Sequence, residues 1–167
     1  MKNYLLLALG LALFISCDPY YTDYYEPPSD YKPVLIKREI LEQSIRLLPP
    51  QELVNYGKIY TKDNLLFVNE RNEGVHIFNN VNPANPVALG FISILGNIDI
   101  SIKDDIIYAD NATDLVALRF DGSTVTEVDR NRNVFPELGP PDGLLVEQKW
   151  AKESRPANTV IVKWVKK

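Results

Sequence analysis

One stretch of this chain repeats. Residues 62–69, Lys-Asp-Asn-Leu-Leu-Phe-Val-Asn, lie over residues 103–110, Lys-Asp-Asp-Ile-Ile-Tyr-Ala-Asp, without a gap. Each copy is a charged turn, three apolar residues with an aromatic third, a small apolar residue and an Asn or Asp. Continued gaplessly, Glu73-Gly74-Val75-His76-Ile77 falls on Asp114-Leu115-Val116-Ala117-Leu118. The spacing is 41 residues, the length of one four-stranded propeller blade.

The rest of the chain supports strands. Short runs rich in β-branched and aliphatic residues are bounded by turn residues: 65–69, 75–78 and 87–94 in the first unit, then 98–102, 106–110, 115–120 and 124–128 in the second. That spacing marks an all-β fold. Two units are too few to close a ring. The expectation is therefore an incomplete propeller: two antiparallel blade-like sheets, with the terminal strand 159–165 added to one of them. Self-association that completes the sheets is the other expected solution.

Ile40, Leu41, Ile45 and Leu48 recur at helical spacing before Pro49-Pro50, which predicts one short N-terminal helix over 38–48, laid on a sheet edge or face. Residues 131–156 lose regular patterning. Pro136, Gly139, Pro140, Pro141 and Gly143 make this a long loop.

The first 16 residues carry one positive charge, an apolar run and Ser16 before Cys17. Those are the parts of an export signal, and the run is too short to span a bilayer. Phe14-Ile15-Ser16-Cys17 resembles a bacterial lipobox with cleavage before Cys17, so acylation of Cys17 is expected to anchor the protein without a transmembrane helix. A single cysteine excludes an internal disulfide. Residues 17–33 contain four prolines and five tyrosines (Tyr20, Tyr21, Tyr24, Tyr25, Tyr31) and almost no aliphatic side chains, which predicts a tether. The remaining 34–167 is read as a single domain. Loss of residues 1–16 removes Lys2, so 17 basic residues face 22 acidic ones. That balance disfavours nucleic acid as a partner.

Gly57-Lys58-Ile59-Tyr60, Leu65–Glu70, Gly74–Asn79, Gly96-Asn97-Ile98-Asp99-Ile100, Tyr108-Ala109-Asp110, Asn133-Val134-Phe135-Pro136 and the terminal Val-x-Val-x-Trp together resemble the LVIVD-repeat lipoproteins of Bacteroidetes-type bacteria. Residues 75–79 and 116–120 sit where that family carries its naming repeat. The resemblance implies a propeller-like outer-membrane lipoprotein, periplasmic or surface-facing, with adhesion or binding as its role. Family members are commonly much longer than this chain.

Catalytic groups are sparse. His76 is the only histidine, so a histidine metal cluster is excluded; on its strand it reads as a partly exposed residue. No Gly-x-Ser-x-Gly elbow, phosphate-cradling glycine loop or calcium loop occurs, and no cofactor or metal is expected. The expected function is a non-enzymatic binding, adhesion or scaffold module for a surface polysaccharide or envelope protein, with Tyr60, Phe78 and Trp150 as candidate contacts. The alternative is an accessory glycan hydrolase using two carboxylates among Asp99, Asp104, Asp105, Asp110 and Asp114.

Overall fold

The computed structural model describes residues 27–167. The expected signal, Cys17 and the expected tether up to residue 26 lie outside the described residues. The described chain is all-β, with three antiparallel sheets and one short helix.

The first repeat unit is a meander of β3 (Tyr56–Lys62), β4 (Leu65–Glu70), β5 (Gly74–Asn79) and β6 (Val87–Ser93). The second is a meander of β7 (Ile100–Lys103), β8 (Ile106–Asn111), β9 (Asp114–Phe120) and β10 (Val125–Asn131). The 41-residue repeat is visible in the hydrogen-bond register itself. Tyr60 pairs with Phe67 and Lys62 with Leu65, as Ser101 pairs with Tyr108 and Lys103 with Ile106. Asp63 and Asp104 both take a left-handed backbone in the turn between, with φ of 51° and 52°; aspartate tolerates that conformation better than most side chains.

The gapless register does not carry into the next strands. Three residues, Arg71 to Glu73, join β4 to β5, but only Ala112 and Thr113 join β8 to β9. The equivalent of the Phe67–Ile77 pair is therefore Tyr108–Ala117, and Ile77 does not correspond to Leu118 in its pairing.

This slip has a consequence for packing. The core contains Leu65, Phe67, Val75 and Ile77 from one face of the first sheet, and Ile100, Ile107, Ala109, Val116 and Leu118 from the second. Tyr108, the repeat equivalent of Phe67, lies on the other face of its strand. Phe67 is 3% exposed and Tyr108 38%. The two sheets thus bury opposite faces against each other, a head-to-tail contact of the kind that stacks blades in a propeller. Polar groups lock the rim of this contact. Asp99 accepts hydrogen bonds from Tyr60 Oη at 2.6 Å and from Lys58 Nζ, and Asp105 accepts one from Lys62 Nζ at 2.8 Å.

Three expectations are corrected. The helix is only α1 (Arg38–Glu42); Arg46–Leu48 form β2, a strand that pairs with the edge of β6. Edge coverage by backbone hydrogen bonds displaces the predicted helical turns, because an open strand edge has donors and acceptors to satisfy. Ile45 and Leu47 still reach the main core. The terminal strand β11 (Thr159–Lys166) joins neither repeat sheet; it pairs with β1 (Tyr31–Lys37), so Tyr31, Lys32 and Pro33 belong to a strand of the domain, not to the tether. This two-stranded ribbon has its own small core of Leu41, Ala112, Val160 and Val162. The connection between β10 and β11 contains only a 3-10 turn (Gln148–Trp150), as the proline and glycine content predicts.

The unequal faces yield a direct test. Phe67→Ala should lower the unfolding free energy by about 3–5 kcal/mol, whereas Tyr108→Ala should cost about 1 kcal/mol or less. Urea denaturation of the two variants reads the difference, and equal losses would contradict the packing.

Candidate functional site

Alternation along β4 and β5 places Leu66, Val68 and Glu70, with His76 and Phe78, on the face of the first sheet turned away from the second. Phe91 on β6 pairs with His76 and extends this row. His76 is 2% exposed, which corrects the expectation of a partly exposed residue. Its Nε2 lies 3.2 Å from Glu70 Oε2, and Phe91 packs on its ring at 4.7 Å between centroids. The same Glu70 carboxylate accepts the backbone N–H groups of Val54 and Asn55. One buried acid therefore orients the imidazole and holds the 49–55 loop over the sheet.

Between that loop, the turn after β4 and the ribbon lies a cleft of about 470 Å³, lined by Glu52, Asn55, Glu70, Arg71, Asn72, His76 and Trp164 among others. That volume lies within the range of small-ligand sites. Trp164 on β11 donates its Nε1–H to Leu138 O at 2.8 Å, which fixes the indole. Lys163 pairs with Glu73 at the edge. Among the described residues, the side chains of Glu52, Asn55, Arg71 and Asn72 make no hydrogen bond or ion pair, and neither does His76 Nδ1.

The sequence-derived candidates do not assemble. Tyr60 and Phe78 lie on opposite faces of the first sheet: Tyr60 is tied to Asp99 and packs on the core, and Phe78 stacks near His76 at 6.3 Å. Trp150 sits in the 3-10 turn, with Lys149 Nζ 5.3 Å from its ring centroid and its own Nε1 buried without a partner among the described residues. None of the three lines the cleft.

The carboxylates of 99–114 divide by environment. Asp110 accepts hydrogen bonds from the N–H groups of Ile98 and Asp99 and from Asn97 Nδ2. Burial raises its pKa despite those bonds. Asp99 is also pushed up by burial, but the bonds from Lys58 and Tyr60 outweigh it and leave its pKa lowered. Asp114, its side chain fully buried, is likewise opposed by burial and held low by Arg38, the Asn133 N–H and Arg130. Asp105 pairs with Lys62. Asp99 and Asp110 are neighbours, the Asp99 N–H donating to Asp110; both line an apolar groove of about 440 Å³ with Ile98, Tyr108, Leu115 and Phe135 on the outer face of the second sheet. Among the described residues no group of His, Cys, Asp and Glu side chains gathers to hold a metal ion.

Sequence reasoning missed the Glu70–His76 pair and Trp164. The pair was within reach, because a period of two puts Glu70 and His76 on the face of Val68 once the β4–β5 register is known. Trp164 was not, since only the β1–β11 pairing brings the end of the chain beside β5 and β6. The chain matches no protein-family model, no curated protein and no solved structure.

Removing the Glu70 carboxylate frees the loop it holds. In Glu70→Ala the amides of Val54 and Asn55 should exchange with deuterium at least about tenfold faster than in the wild type, while core amides of β9 keep their protection. Asp114 gives a pH signature. Its folded pKa lies below the ordinary 3.8, so its contribution is full above that value and is lost as the pH falls through the folded pKa. Asp114→Asn should cost about 3 kcal/mol at neutral pH and flatten the acid limb of a stability profile measured between about pH 2 and pH 6.

Proposed function

We propose that this protein is a cell-envelope lipoprotein, anchored in the outer membrane through an acylated Cys17, that serves as a non-enzymatic binding module in the manner implied by its resemblance to the LVIVD-repeat lipoproteins. The observation that supports this best is the sorting of its polar side chains. Those inside the fold are spent on structure: Asn97 bridges Asn69, Asp99 and Asp110, and Asp114 is shared by Arg38 and Arg130. Those around the cleft behind the first sheet keep free donors and acceptors beside a fixed indole. Such an arrangement suits ligand binding, and among the described residues no hydroxyl or thiol nucleophile lines the cleft beside the Glu70–His76 pair.

The hydrolase reading draws on Asp99 and Asp110. We favour it less, because both carboxylates already accept several protein hydrogen bonds, and a general acid needs its oxygen free to face the leaving group.

Cells supplied with a labelled fatty acid should incorporate it into the wild-type protein and fractionate the product with the outer membrane. Cys17→Ser should lose both the label and the membrane association. Label retained in the variant would overturn the anchor, and a wild-type product found only in the soluble fraction would overturn the location.

A further inference from the structure

We infer that the cleft behind the first sheet is a saccharide site that takes a neutral sugar ring of a glycan chain. The inference rests on the binding-module reading and names its ligand class.

Four observations point to this chemistry. Trp164 has its only polar atom satisfied by Leu138 O, so its ring offers only an apolar face and a π surface, which suits the C–H side of a sugar ring. Around it stand a guanidinium (Arg71), a carboxylate (Glu52) and two amides (Asn55 and Asn72), none of them engaged by another described side chain or backbone group. Sugar hydroxyls both donate and accept, so they need this mixture; a phosphate would need donors alone, and an apolar ligand neither. Charge is nearly balanced at the edge, where Lys163 is neutralised by Glu73 and Arg71 stands with Glu52. This again disfavours an anion.

The floor supplies the fourth observation. His76 is almost fully buried, its Nε2 is committed to Glu70, and its Nδ1 has no partner among the described residues. His76 lines the cleft, and its Nδ1 is not sealed from solvent, so it is open to a hydrogen bond from a ligand. A hydroxyl is the ligand group that satisfies it in either tautomer, because it can donate or accept. Glu70 thereby acts as a positioning residue for a hydrogen bond to the ligand.

The test uses the full chain in detergent. It is first applied to an array of glycans with neutral hexose, N-acetylhexosamine, uronate and sialate termini, alongside inorganic phosphate. The best ligand is then titrated against Trp150→Phe, which leaves Trp164 as the only tryptophan. A neutral glycan should bind and saturate a change in Trp164 fluorescence. Arg71→Ala and Asn72→Gly remove side chains that carry no structural bond, and glycine keeps the left-handed backbone of Asn72 (φ 65°); each should weaken binding about fivefold or more with little change in melting. Tyr108→Ala, on the far groove, should leave affinity unchanged.

Binding only of phosphate or acidic glycans, no glycan binding at all, or a neutral glycan whose affinity ignores both substitutions would overturn the assignment. A parallel pull-down from envelope extract separates this failure from that of the wider reading. A specific envelope protein captured without glycan binding removes the saccharide assignment and keeps the binding module, whereas capture of neither removes both.

Discussion

The structure depends on the head-to-tail contact between two copies of one hairpin design. Because the Leu65–Phe67 face of the first sheet meets the Ile107–Ala109 face of the second, the contact is not self-complementary. Each sheet therefore keeps one apolar face that no third blade covers among the described residues. Left bare, those faces would stack further copies into a ring or a fibre. The parts of the chain outside the repeat answer this problem. The 49–55 loop, held by Glu70, closes over Val68, His76 and Phe91 at one end. At the other end Phe135, Pro136 and Leu138 lie over the Tyr108 face. The β1–β11 ribbon ties both covers to the domain, through Trp164 to Leu138 and through Lys163 to Glu73.

The same constraint explains the buried polar cluster between the repeats. Asn97 begins the second unit and is fully buried; its amide donates to the backbone of Asp99 and Asp110 while its oxygen accepts from Asn69. Gly57 is part of this arrangement, since a Cβ there would meet Asn69 Oδ1 at 2.6 Å. Gly74, with φ of 145°, sits where a Cβ would strike Ile92 O at 2.0 Å, so β5 and β6 approach closely beneath the cleft. Apart from Asn69 Oδ1, which has no partner among the described residues, the network is hydrogen-bonded, and such a network specifies geometry. Here it sets the end of one unit against the start of the next.

Much of this could be read from the residues. The all-β class, the 41-residue unit, the turns at Asp63 and Asp104 and eight of the strands follow from turn residues and β-branched runs. What failed did so for nonlocal reasons. Ile45 and Leu48 keep helical spacing with Ile40 and Leu41, yet Arg46–Leu48 is drawn into a strand by the open edge of β6, and no local signal reports an edge. Because the β8–β9 turn is one residue shorter, Val116 and Leu118 keep the core positions of Val75 and Ile77 while Tyr108 turns away from the core position of Phe67, which only register reveals. The candidate contacts were chosen as aromatics of the kind enriched at interfaces. The cleft is built instead from a buried acid–imidazole pair, a loop without periodicity and a tryptophan in the terminal strand, brought together by two strand pairings far apart in sequence.

Function follows from the covers more than from the repeat. Capping the outer face of the first sheet with a loop instead of a blade leaves a space, and that space holds the free polar groups. The covers are needed because the sheets pack by unlike faces, Phe67 toward Ile107 and Tyr108 away from the contact. Nuclear Overhauser contacts in the isotopically labelled protein test this most directly. The account predicts contacts from the Phe67 ring to the Ile107 and Ile102 side chains and none to Tyr108. Contacts between the Phe67 and Tyr108 rings, with Ile107 turned to solvent, would contradict it.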